Sequence, residues 1–268
     1  MNKNIRCIFS GSHSGRDERE YYDLLEDYFP REHFTVYPNV MLHTILGTPP
    51  DDAFNREDDP SQRNLLRFCS IDLCVVSNED FYPICAIEVD GESHENEDQR
   101  RRDENKDRLL VAAGLPIHRV RTYEKNVSTT VRFHRLTKKE KRCELERALN
   151  GKHLSITPKE HLKPLLADLG MLECFDMLNE ILHGSNYALF PKVGLQFIFS
   201  QPARDSLPEA LQRECCLNST VDFCVVSATS LPLVAFDINK YDRVKAEVFR
   251  HFGFPLLQLP ERAKRSEF

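Results

Sequence analysis

Apolar residues recur along the chain in two rhythms. Over residues 17–28, Tyr21, Leu24, Leu25 and Tyr28 fall at i, i+3, i+4 and i+7, the stripe of an amphipathic helix. A short strand is predicted near Val36–Leu42, and two apolar strands at about 71–77 and 84–90, parted by a turn that contains Pro83. The unbroken runs Leu73–Val76 and Ile84–Ile87 suit strands buried on both faces. A polar stretch over about 97–113 reads as a helix closed by Gly114, with Pro116 just beyond. Ile117–Arg121 completes the unit as a last strand. The order αβββαβ predicts an α/β sandwich around a small mixed central sheet.

The pattern returns about 150 residues later. Ile71-Asp72-Leu73-Cys74-Val75-Val76-Ser77 is echoed by Val221-Asp222-Phe223-Cys224-Val225-Val226-Ser227. Pro83 to Asp90 is echoed by Pro232 to Asn239, and Lys106 through Pro116 by Lys245 through Pro255. Upstream, Tyr37-Pro38-Asn39-Val40 matches Phe190-Pro191-Lys192-Val193, and Glu20, Tyr22, Asp23 and Leu25 match Glu173, Phe175, Asp176 and Leu178. Such a spacing is too long for a solenoid. Two tandem copies of one fold are expected, at 1–125 and 151–268, joined by a basic linker or helix at 126–150.

Length changes the picture little: 268 residues suit two domains. No apolar run approaches the roughly 20 residues of a membrane span, and the first residues lack the apolar stretch of a secretion signal. Nine cysteines without a Cys-x-x-Cys pair point to reduced thiols in a cytoplasmic protein. Neither Cys69 and Cys74 nor the adjacent Cys215 and Cys216 has zinc-ligand spacing. Charge is more telling. Residues 1–118 hold 24 acids against 13 bases, net −11, whereas residues 119–147 hold 10 bases against 4 acids, net +6. An acidic first domain is followed by a basic strap.

Within the acidic half, Asp72 stands near the start of one central strand. Glu88 and Asp90 stand two apart at the end of the next, and so share a face. If the strands pair, three carboxylates converge. A half-buried cluster of that kind is costly unless a cation neutralises it, and Mg2+ or Mn2+ is the ion that oxygen ligands suit. The alternative is that each acid is a solvated turn residue.

Ile71-Asp72, then Ala86-Ile87-Glu88-Val89-Asp90-Gly91-Glu92-Ser93-His94, then Arg102-Asp103-Glu104-Asn105-Lys106-Asp107 and Ala113-Gly114-Leu115-Pro116 together resemble the PD-(D/E)XK nuclease superfamily. The similarity is greatest to the bacterial domain of unknown function (DUF) 2726 and more distant to very-short-patch repair endonucleases. It covers about residues 15–122, and the second copy weakly. The resemblance implies a restriction-endonuclease-like core, with Asp72 and Glu88 as metal ligands and Glu20 as a supporting acid. The lysine expected two residues after the acid is replaced by Asp90. Lys106 on the following helix or His94 in the following loop are the substitutes available to handle the attacking water. In the second copy Asp222, Asp237 and Lys245 take the places of Asp72, Glu88 and Lys106, while Asn239 replaces Asp90, so that copy is expected to be degenerate.

A nucleic-acid substrate needs cations near the site. Arg100, Arg101 and Arg102 open the third-quarter helix of the first copy, and the strap supplies Arg135, Lys138, Lys139, Lys141 and Arg142; all are candidate phosphate contacts. On a helix at most two of three consecutive arginines face one partner. The leading expectation is a bacterial, cytoplasmic, Mg2+- or Mn2+-dependent nuclease acting on DNA, with no membrane association. The rival is a non-catalytic nucleic-acid-binding or scaffold protein built from degenerate nuclease-like domains.

Overall fold

The computed structural model describes residues 5–9, 15–47, 66, 69–91, 97–125, 133–150, 161–216, 219–238 and 242–259. The chain divides into two compact units, residues 9–164 and residues 165–268 with 1–8. It is mixed α/β throughout. No helix among the described residues is long and apolar enough to cross a membrane.

In the first unit the order is α1 (Gly15–Tyr28), β1 (Phe34–Met41), α2 (Leu42–Ile45), β2 (Ser70–Ser77), β3 (Pro83–Asp90), α3 (Glu97–Ala112) and β4 (Ile117–Arg121). The sheet runs β1-β2-β3-β4. The first two pairings are antiparallel and the third is parallel, because the β3–β4 connection passes through α3 and brings the chain back to the same end. The runs read as doubly covered are buried: Leu73, Cys74, Val75, Val76, Ala86 and Ile87 all have no exposure. Tyr21, Leu24 and Leu25 of α1 are buried as well and are the surface that meets the sheet, whereas Tyr28, expected on the same stripe, is exposed at the last position of the helix. Removing one such leucine should cost about 2–5 kcal/mol. Pro38 stands in β1, an outer strand of the sheet, where a missing N–H is tolerated. Gly114 closes α3 at φ 83°, a conformation glycine adopts without steric cost.

The basic segment contains a strand pair and the helix that is one of its two expected forms. β5 (Tyr123–Lys125) and β6 (Phe133–Arg135) form an antiparallel pair, and α4 (Lys138–Leu149) follows. Thr137 and Glu140 cap that helix reciprocally, the Thr-x-x-Glu box that satisfies two orphan N–H groups. Leu145 and Leu149 are buried, and α4 packs on α1 and β4. The expected boundary at 125 therefore moves to 164, because the apolar face of α4 needs the first unit to cover it.

The second unit contains α5 (Leu169–Leu182), β7 (Tyr187–Gly194), α6 (Leu195–Ile198), α7 (Gln201–Asp205), α8 (Glu209–Cys216), β8 (Thr220–Ser227), β9 (Pro232–Ile238), α9 (Arg243–Phe252) and β10 (Leu256–Leu259). Its sheet has the order β10-β9-β8-β7. The register follows the first sheet residue by residue. Pro38↔Leu73 and Val40↔Ile71 correspond to Pro191↔Phe223 and Val193↔Val221. Both sheets are irregular at one place, Val75/Val76 and Val225/Val226. Ala86↔Ile117 corresponds to Ala235↔Leu256 in the parallel pairing. Residues 5–8 belong here rather than to the first unit: Arg6 N donates to Ile198 O and Ile8 N to Ser230 O. Phe199, Phe249, Phe252 and Phe254 stack in the core.

Candidate functional site

The pairing of β2 with β3 runs as far as Leu73↔Ile87. One step beyond, the N–H of Val89 donates to Asp72 Oδ2 at 2.8 Å instead of to a backbone carbonyl. Asp72 is thus fixed against the strand that carries Glu88. Glu88 itself is 2% exposed. Lys106 projects from α3 and donates through Nζ to Glu88 Oε2 and, at 3.2 Å, to the carbonyl of Ser70. Among the described residues Glu88 Oε1 is buried without a hydrogen-bond partner.

Electrostatics follow from that burial. Desolvation pushes the Glu88 carboxyl up to about 8, with the charge of Asp72 adding to it and Lys106 opposing. Burial works against the Lys106 ammonium, but the charges of Glu88 and Asp72 outweigh it and its pKa rises. Burial also raises the Cys69 thiol nearby, so Cys69 is a poor nucleophile. The net effect is a buried, polarised pair with one carboxylate oxygen left over.

Asp90 has a different part from the one expected. It shares a face with Glu88 as the strand period requires, but β4 places Arg119 opposite Glu88. Arg119 donates to Asp90 Oδ1 at 2.6 Å and forks onto Asp107 at 3.0 and 2.8 Å. Asp103 lies 3.7 Å from the same guanidinium. The third carboxylate is thereby neutralised. Among the described residues no group of three or more His, Cys, Asp or Glu side chains is arranged to hold a metal ion. Two carboxylates remain, Asp72 and Glu88. They fit a hard divalent ion that keeps several waters and takes one or two protein carboxylates, and the unpartnered Glu88 Oε1 is an oxygen such an ion could use.

The structure sorts the remaining expected residues. Lys141 is not at a phosphate-binding surface. It has no exposed side-chain area and donates to Asp17 and, at 2.6 Å, to Glu20. Its ammonium lies 5.7 Å from the centre of the Tyr21 ring, a cation–π distance. Glu20 accepts from Arg16 as well, at 3.1 Å. Burial works upward on its carboxyl, but Lys141 and Arg16 hold it below the ordinary range. Arg135 pairs with Asp17 at 2.7 Å and Arg142 with Asp27 at 3.2 Å. Arg100, Arg101, Arg102, Lys138 and Lys139 are exposed. His94 lies outside the described residues. Sequence reading missed the burial of Lys141, although Lys141, Leu145 and Leu149 form one i, i+4, i+8 stripe. It also missed Arg119, whose signal was its place on the strand beside Glu88 and Asp90.

The second unit holds a similar constellation. Lys245 of α9 donates to Asp237 Oδ2 at 2.8 Å and to the carbonyl of Thr220 at 2.8 Å. Asp222 Oδ2 accepts from the N–H of Ile238 at 2.8 Å, as Asp72 does from Val89. Burial raises the Asp237 carboxyl while Lys245 opposes. Lys192 also donates to Asp222 Oδ1 at 2.6 Å. Asn239 lies outside the described residues.

Residues 14–137 match the model of a family described as protein of unknown function (DUF2726), in agreement with the resemblance read from the motifs. No curated protein and no solved structure matches the chain.

Proposed function

We propose that the chain consists of two tandem restriction-endonuclease-like modules, the first a Mg2+- or Mn2+-dependent nuclease acting on DNA in the bacterial cytoplasm. The observation that carries this is the meeting of Asp72, Glu88 and Lys106. A lysine from the following helix reaches the second carboxylate, which supplies the cation that the strand lacks where Asp90 stands. Asp72 and Glu88 would hold the metal, whose charge would orient a water and stabilise the phosphodiester. Lys106 keeps Glu88 in place and sets a positive charge beside the reacting phosphate. Arg119 ties Asp90 to α3, so Asp90 orients the helix that bears Lys106 rather than ligating metal. The exposed Arg100, Arg101 and Arg102 at the start of α3 are the cations available to the DNA backbone. Lys138 and Lys139 could add to them.

Duplication is supported by the shared register, by the irregularity at the same step of both sheets and by the repeated lysine-to-carboxylate contact. The second module would be non-catalytic.

Nuclease assays on linear and circular DNA with Mg2+ or Mn2+ test the reading. Cleavage is expected from the wild type and its loss from Asp72→Ala and Glu88→Ala. Activity unchanged in both variants refutes the site. A second reading, a non-catalytic binding scaffold, is favoured by one observation: Glu88, Asp90, Asp222 and Asp237 each form an ion pair with a lysine or arginine. Calorimetry with Mn2+ separates the two. Binding that vanishes in Glu88→Ala supports the enzyme, and no binding at millimolar Mn2+ supports the scaffold.

A further inference from the structure

Asn39 and Lys192 occupy the same place in their sheets. Each lies between two register pairs, Pro38↔Leu73 and Val40↔Ile71 in one, Pro191↔Phe223 and Val193↔Val221 in the other. Each therefore stands across from the first aspartate of its module, Asp72 or Asp222. Each has a left-handed backbone, with φ 54° and 53°. Asparagine tolerates that conformation better than most residues, and lysine does not share the advantage. A lysine kept at such a position is an outlier that calls for a reason.

Its side chain gives one. Lys192 Nζ donates to Asp222 Oδ1 at 2.6 Å. Asp222 in turn adjoins Asp237, since the N–H of Asp222 donates to Asp237 Oδ1 at 3.2 Å. Two carboxylates with only Lys245 beside them would carry one negative charge in excess. With Lys192 added the excess is gone. The oxygen that a divalent ion would take from Asp222 already accepts from an ammonium.

We propose that Lys192 is a built-in counter-cation that closes the second carboxylate pair, Asp222 and Asp237, to metal.

The test uses the full chain and Mn2+ alone, with bound ions counted by calorimetry and by the Mn2+ electron-spin resonance signal. Lys192→Asn, which suits the left-handed backbone, is expected to bind one more Mn2+ than the wild type, and Lys192→Asn/Asp237→Asn to lose that ion again. Added Mn2+ should raise the unfolding temperature of Lys192→Asn more than that of the wild type. A folded Lys192→Asn with an unchanged count overturns the proposal, as does an unfolded one that Mn2+ fails to refold. If the wild type binds no Mn2+ at all, the metal reading of Asp72 and Glu88 fails, while a gain from zero to one ion in Lys192→Asn still upholds the role of Lys192.

Discussion

Arg119 donates to Asp90 at 2.6 Å while the rest of its guanidinium spans Asp107. One arginine thus binds the end of a central strand to the face of the helix that carries Lys106. The contact takes up the charge of Asp90 and ties β3 to the helix that carries Lys106.

Arg119→Met should remove the cation shared by Asp90, Asp103 and Asp107. A loss of about 2–3 kcal/mol is expected, somewhat below the range for a fully buried pair because the side chain is part-exposed. Urea unfolding of this variant and of Arg119→Met/Asp107→Asn checks it: the double variant should recover part of the loss, because one of the facing charges is then gone. No recovery would show that lost packing, not charge, is responsible.

Lys141→Met should cost about 3–5 kcal/mol, the penalty for removing one partner of a buried ion pair. Adding Asp17→Asn and Glu20→Gln should recover a good part of it, since the two acids then carry no charge for Lys141 to balance. Thermal unfolding of the single and triple variants reads the difference. Equal destabilisation in both would contradict an electrostatic role for Lys141.

The raised carboxyl of Glu88 gives a pH dependence with a definite sign. In the metal-free folded protein Glu88 titrates at about 8, against an ordinary value of 4.5. Between those values the folded state binds the proton and the unfolded state does not. Its contribution to stability is therefore complete below 4.5 and is lost as the pH rises through 8. Glu88→Gln should flatten this part of the stability profile in the presence of a chelator. An identical slope in the variant would assign the titration to another group.

If DNA lies along the start of α3, replacing Arg100, Arg101 and Arg102 together by alanine should lower the slope of log affinity against log salt by about 2, since at most two of the three can face one partner. Lys141→Met should leave that slope unchanged, because a buried ammonium meets no phosphate. Fluorescence anisotropy with a labelled duplex at several salt concentrations measures both. A drop in slope for Lys141→Met would place that residue at the DNA after all.

Sequence alone determined a good deal. Apolar runs longer than alternation allows marked β2 and β3 as covered strands, the stripe through Tyr21 and Leu25 marked α1, and Gly114 marked the end of α3. These are local signals, written in consecutive residues. The repeat of Asp72, Glu88 and Lys106 as Asp222, Asp237 and Lys245 was legible for the same reason. What sequence could not decide was which charge meets which. Asp90 and Arg119 are 29 residues apart and Lys141 and Asp17 are 124 apart, and nothing in their neighbours announces the pairing. Only the closed sheet, with β4 laid parallel beside β3, put a guanidinium over Asp90, and only the packing of α4 on α1 buried an ammonium that composition would assign to the surface. Charge attraction falls off within a few ångströms once water intervenes, so the partners of an ion are fixed by the fold that brings them together and not by the order of the chain.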